Sequence, residues 1–305
     1  MNPRQRPHEV RLRGLPAGVR TKVRRAARGS GRSAAAGLFV LALAWPAAAQ
    51  AQTSAYRRAP GDTLRYHEVT TGTIEMRPAR GAVTVQTRHD ARIAVTFAAA
   101  DTARAWFEAL SLSAAGSPLG ERRPDTAPLL GRPYTFVFTP RGEVRTVRVP
   151  EIPGEVLRVS DLSAEFTEFF PHLPAGPLTP GATWADTATH QTTNAAGLTV
   201  IGRRTASYRV RGDSTIRGER VVAVEMRTAT EILSGSATPR PTGATTQSSL
   251  KGEETGVFFF APGSGRLVER RRTGRLAGSL AVSAGGQTVS IPQSFTYESR
   301  IDLIR

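Results

Sequence analysis

The stretch YTFVFTPRGEVRTVRV, residues 134–149, decides the fold. Tyr134, Phe136 and Phe138 alternate with Thr135 and Val137; Pro140-Arg141-Gly142-Glu143 turns the chain, and alternation resumes from Val144 to Val149. Successive side chains of a strand point to opposite faces, so a period of two marks a hairpin with one face buried. The same period recurs outward from here, at residues 63–66, 83–87, 93–97, 206–210, 220–226, 256–260, 265–271, 279–283 and 295–303. Turns are expected at His89-Asp90-Ala91, Arg211-Gly212-Asp213-Ser214, Pro262-Gly263-Ser264-Gly265 and Ala284-Gly285-Gly286, where Gly, Asp and Ser supply turn chemistry. The chain is therefore read as mainly β, with antiparallel strands and one or two short helices.

Helical signals are few. Asp101 can cap a helix reaching Leu110, with Trp106 and Leu110 four apart on one face. Ser160 or Asp161 can cap a second, over residues 161–170, whose Leu162, Phe166, Phe169 and Phe170 form an apolar stripe ended by Pro171. Residues 234–249, SGSATPRPTGATTQSS, are poor in apolar side chains and are expected to be a long loop between strands. Gly61-Asp62-Thr63-Leu64 resembles Gly181-Ala182-Thr183-Trp184, and the 136–144 hairpin resembles 258–267 at nearly the same offset. These matches suggest two related β halves, 61–155 and 181–305, joined by the 161–170 helix. The bland alternative is that any two hairpins share Phe-x-Phe and Pro-Gly turns.

Ahead of these strands, GLFVLALAWPAAAQAQ, residues 37–52, has the parts of a secretory signal. Arg24, Arg25, Arg28 and Arg32 precede an apolar core of about 12 residues, shorter than the roughly 20 that cross a bilayer. Small residues then offer cleavage after Ala49 or Ala51. Residues 1–51 are read as a basic leader and signal, 52–305 as one exported β-rich domain, periplasmic or secreted. The basic region before the apolar core is unusually long, so a later start codon is an open alternative.

The net charge of +16 divides into +9 in the leader and +7 in the remainder, and only Lys22 and Lys251 are lysine. Export and this division argue against nucleic acid as a partner. The absence of cysteine excludes disulfides and thiol catalysis.

Catalytic constellations are thin, and neither an enzyme, a cofactor nor a metal site is expected. His67-Glu68 and His89-Asp90 place imidazole beside carboxylate, but adjacent strand residues face opposite sides, so neither pair can hold one ion. No zinc-protease spacing, P-loop or nucleophile elbow occurs, and Ser234 and Ser264 sit in ordinary turn sequences.

At residues 169–186, FFPHLPAGPLTPGATWAD, a segment ending in aromatics leads through Leu173-Pro174 and a Pro-rich turn into Gly181-x-Thr183-Trp184. With Gly61-Asp62-Thr63-Leu64-Arg65-Tyr66 and Leu130-Gly131-Arg132-Pro133-Tyr134, this pattern resembles a family of uncharacterised exported bacterial proteins. At fold level these are similar to the lipoprotein-carrier half-barrels, a curved sheet wrapped over a helix-bearing lid. The resemblance implies a strongly curved antiparallel sheet, a half-barrel, with an apolar concavity, and transfers a fold rather than an activity.

Two function classes follow. One is a periplasmic carrier that shelters a lipid or other apolar ligand, with Trp184, Phe166 and Phe170 as contacts. Arg270 and Arg272, which share a strand face, would form a rim for anionic envelope lipid. The default for such a cluster is a solvated outer face. The other class is an envelope interaction protein whose concavity is filled by its own side chains. An outer-membrane barrel is a third, weaker reading, since the strands are arginine-rich and lack aromatic girdles. The domain is read as a monomer.

Overall fold

A computed structural model describes residues 54–57, 59–79, 81–98, 101–117, 120–193, 198–236 and 245–304. The leader and its cleavage sites lie outside them. Twelve strands form one antiparallel sheet: β1 (Thr63–Met76), β2 (Val83–Phe97), β3 (Thr102–Ser117), β4 (Gly120–Arg122), β5 (Tyr134–Phe138), β6 (Val144–Arg148), β7 (Thr183–Thr193), β8 (Leu198–Ile216), β9 (Glu219–Ser236), β10 (Thr245–Ala261), β11 (Arg266–Ala284) and β12 (Gln287–Ile304). Their order is β6-β5-β3-β2-β1-β12-β11-β10-β9-β8-β7, with β4 beside β3, so first and last strands pair at the centre and the sheet stays open. A single turn of α-helix, α1 (Gly154–Leu157), and a 3₁₀ turn at Ala127–Leu129 complete the described structure. No helix among the described residues is long and apolar enough to cross a membrane.

The sheet is strongly curled, and the ring contacts show it. Six strand spacings separate β5 from β10, about 29 Å if the sheet were flat. Yet the Tyr56 ring lies 5.4 Å from Phe138 of β5 and 5.3 Å from Phe260 of β10. Glycines on the inner face allow this. A Cβ on Gly252 would fall 1.9 Å from the Arg275 carbonyl oxygen, and one on Gly278 would fall 1.8 Å from that of Ser249. Neighbouring backbones approach there as only glycine permits.

The connection from β6 to β7 fills the curl. Leu162, Phe166, Phe169, Phe170 and Leu173 are buried against Tyr66, Phe107, Tyr134, Phe136, Phe138, Phe258 and Phe260. Residues 161–170 bury the side chains expected of them, but as successive tight turns rather than a helix. Glu165, Thr167 and Phe169 donate their N–H groups to the carbonyls three residues earlier.

The sequence reading of residues 101–110 as helix is corrected: they belong to β3. Ala103, Ala105 and Phe107 face inward; opposite the Arg92/Ile93 register shift the chain bulges, and inward facing resumes at Leu110 and Leu112. The bulge turns a spacing of two into three and mimics a helical stripe. His89-Asp90-Ala91 is likewise no turn, since β2 runs straight through it. Arg211–Ser214 lies within β8 at a bulge, and the real hairpin is Arg217-Gly218, with φ of 52° and 80°, the geometry that matches strand twist. Of the expected loop 234–249, residues 234–236 and 245–249 are strand, and 237–244 lie outside the described residues. The segments that look repeated open β1 and β7 and form the β5–β6 and β10–β11 hairpins.

Candidate functional site

The register sorts every inner side chain into three levels along the strands. Lowest is the aromatic core just described. Above it runs a layer of charged and hydroxyl groups: Glu68 on β1, His89 on β2, Arg204 on β8, Thr228 and Thr230 on β9, Glu254 on β10, Arg270 and Arg272 on β11 and Ser299 on β12. Glu165 and Glu168 join it from the β6–β7 connection.

This layer is cross-linked. Arg270, 3% exposed, donates to the carbonyl oxygens of Glu168 and, at 2.8 Å, of Phe169. Burial and the neighbouring Arg272 lower its pKa to about 10. Arg272 lies 3.8 Å from Glu168 and 3.6 Å from Glu254, with its guanidinium 6.0 Å from the Tyr297 ring centre. Thr230 donates to Glu254 at 2.9 Å. Burial alone would raise the Glu168 carboxyl, but Arg204 and Arg272 hold it below its usual value. Arg204 also reaches Asp186, which accepts the Nδ1–H of His172 at 2.6 Å.

Several buried atoms in the layer have no hydrogen-bond partner: Glu68 Oε2, His89 Nε2, Thr228 Oγ1 and Ser299 Oγ. Buried polar atoms are normally paired, and an unpaired group costs roughly 1–3 kcal/mol. Glu165 shares the strain. Burial and the adjacent Glu68 carboxyl raise its pKa to about 7, against the opposing pull of His89.

The third level is the extension of the strands beyond this layer. The inner positions include Ile74, Val85, Ile232, Leu250, Leu276, Leu280, Ile291 and Phe295, most only half-buried, and among them lie polar groups such as Gln293, whose amide donates to the Ser248 hydroxyl. None of them belongs to a core cluster. Phe295 lies over Gly72 and stacks on Tyr297 at 5.3 Å. The outer positions of the same stretches are mostly polar, among them Thr71, Thr73, Glu75, Gln86, Arg88, Arg203, Glu231, Lys251, Arg275 and Thr296, with Leu233 an exposed apolar exception. Among the described residues, a single sheet layer thus carries a mainly apolar inner face with no layer over it and a mainly polar outer face in solvent. Clefts elsewhere are polar at their edges, such as one of about 810 Å³ among Pro177, Asp213, Arg220 and Ser264.

The residues expected to contact ligand sit below this trough. Phe166 and Phe170 are 2% exposed in the aromatic core, and Trp184 stacks on Tyr208 at 5.0 Å while its indole N–H donates to the His172 carbonyl. Arg270 and Arg272 do share a face, but it is the inner one: they hold the β6–β7 connection and are not a solvated or headgroup-facing rim. Sequence reading assigned the arginines to the wrong face because arginine is so seldom buried. It missed the trough because its strands mix Ser, Thr and Gly with isolated aliphatics, which looks like a loop. The split of His67-Glu68 and His89-Asp90 between faces is as alternation demands. His67 and Asp90 pair outside at 2.9 Å, and Glu68 and His89 lie inside. The halves neither dipeptide could bring together alone meet across the two strands.

No family model and no characterised relative matches the chain. Among solved structures it is similar to lipovitellin, in a structure concerned with lipid–protein interactions, with a TM-score of 0.43 and 11% identity. That match covers 82% of this chain and 26% of the other, about a quarter of its length. It is also similar to the Pseudomonas aeruginosa protein OccK2 in complex with glucuronate, with a TM-score of 0.22, 7% identity, 82% of this chain and 100% of that one. An outer membrane channel from Pseudomonas putida F1 gives 0.21, 9%, 81% and 100%. At these scores none carries weight for function.

Proposed function

We propose that this is an exported, non-catalytic binding protein of the cell envelope that shelters an apolar chain in the open inner trough. One observation carries the reading: the strand extensions are mainly apolar on an inner face that nothing among the described residues covers, and mainly polar on the outer face. A two-sided solvated sheet would be polar on both, and uncovered apolar patches of this kind mark binding sites. From Leu276 to Val282 on β11 the trough runs about 20 Å, longer than the ~15 Å that one leaflet's chains occupy in a bilayer. Each methylene buried there contributes about 0.8 kcal/mol. The unpaired Thr228 and Ser299 hydroxyls of the polar layer fit a ligand whose polar end reaches the floor of the trough.

The charged outer face argues against a membrane-embedded barrel, whose lipid-facing side is an apolar band. The lipoprotein-carrier resemblance rests on its motifs and implies a fold with an apolar concavity, not an activity. Binding of a fluorescent long-chain fatty acid tests the reading. The double variant Leu250→Glu/Leu280→Glu should weaken binding at least about tenfold with little loss of thermal stability, since both side chains are half-exposed. Unchanged binding in that variant would remove the trough from consideration.

A further inference from the structure

We propose a divalent transition-metal site, with zinc as the fitting ion, formed by Glu68 of β1, His89 of β2 and Glu165 of the β6–β7 connection. Each offers one donor atom, and the three lie within 4.8 Å of one another. Glu68 is opposite Ala91 and His89 opposite Thr70 in the β1–β2 register, so the two are diagonal neighbours on the inner face. Glu165 reaches them from the tight turns of the connection, with an oxygen 3.8 Å from His89 Nδ1.

The second observation is independent of the clustering. Glu68 is 5% exposed, yet its Oε2 has no hydrogen-bond partner, and neither has the buried Nε2 of His89. A carboxylate oxygen and an imidazole nitrogen left unpaired in one buried cluster are the two donor types a cation would satisfy. The nearby guanidinium groups have other partners, Arg270 the backbone carbonyls and Arg272 Glu168 and Glu254, and act on Glu68 and Glu165 through their charge rather than through a hydrogen bond.

The donor set selects the ion. Calcium and magnesium prefer all-oxygen shells, whereas imidazole with two carboxylates suits zinc and its first-row neighbours. Tetrahedral zinc holds its donors roughly 3.4 Å apart at bond lengths of about 2.1 Å. Glutamate rotation can close the widest separation by the roughly 1.4 Å required. Three protein ligands leave a fourth position for water or the polar end of a ligand. The ion would fasten the core-filling connection to the two strands beneath it, a role independent of whether the trough binds an apolar chain.

The test is zinc stoichiometry and affinity in the purified protein after dialysis against EDTA. One tightly held zinc per chain is expected, with a rise in thermal midpoint on zinc addition. His89→Gln and Glu165→Gln should each weaken zinc binding at least about 100-fold, more than loss of an outer-shell partner costs. His67→Gln, on the outer face of the same strand pair, should leave it unchanged. Glu165→Gln also relieves a carboxyl repulsion and keeps the chain folded if His89→Gln does not. Absence of stoichiometric zinc at excess metal, or zinc lost in His67→Gln and retained in the other two, overturns the assignment.

Discussion

Arg270 is where the chemistry of one side chain governs most. Its guanidinium is buried, and it closes two consecutive carbonyls of the connection, Glu168 and Phe169, onto β11. Arg270→Ala should therefore destabilise the protein by about 2–4 kcal/mol, because two acceptors and the surrounding carboxylates lose their cation. Arg275→Ala, exposed on the outer face of the same strand, should change stability by less than about 0.5 kcal/mol. Urea unfolding of the two variants checks the contrast. His172 supplies a pH dependence. Burial, helped by Arg204, lowers its imidazole pKa against the opposing pull of Asp186 and Glu143. The folded state thus prefers neutral His172. Its contribution is present above the ordinary histidine pKa of about 6.5 and is lost as pH falls through the lower folded value. A thermal midpoint series from pH 7.5 to 5 should show a shallower acid decline in His172→Gln than in the parent; equal slopes would reject this. None of these roles was legible in sequence. A run of three arginines at 270–272 shows alternation but not which face is inside.

At the scale of elements, the strands were legible where one side meets the aromatic core and illegible where neither side meets other protein. Residues 134–149 announce a hairpin because Tyr134, Phe136 and Phe138 are all buried. The start of β10 and the end of β9 mix Ser, Thr and Gly with isolated aliphatics on both faces, which reads as loop. The inner glycines belong to the same hidden design. Residue preferences favour valine over glycine in a strand, so Gly278→Val would be expected to stabilise β11 on propensity alone. The curl predicts the reverse. The new side chain meets the Ser249 backbone, so the variant should lose about 1–3 kcal/mol and bind the fluorescent fatty acid less well. Thermal denaturation together with fatty-acid titration would show it; a stabilised variant would mean the close approach is not required.

For the whole molecule, the antiparallel sheet was readable from period and turns, because a buried face imposes alternation over the entire length of each strand. What fills the curl was only half readable. The apolar stripe at 162–170 was visible and is core, but its turns depend on packing across strands distant in sequence. The trough and the Glu68–His89–Glu165 cluster are products of register, which brings together residues that share no local motif. The central claim is that the trough above the polar layer holds an apolar molecule. Native mass spectrometry of the purified protein, followed by solvent extraction, tests it most directly. The account predicts a stoichiometric amphiphile that leaves on extraction and is missing from Leu250→Glu/Leu280→Glu. A bare mass that stays bare after incubation with lipids would contradict it.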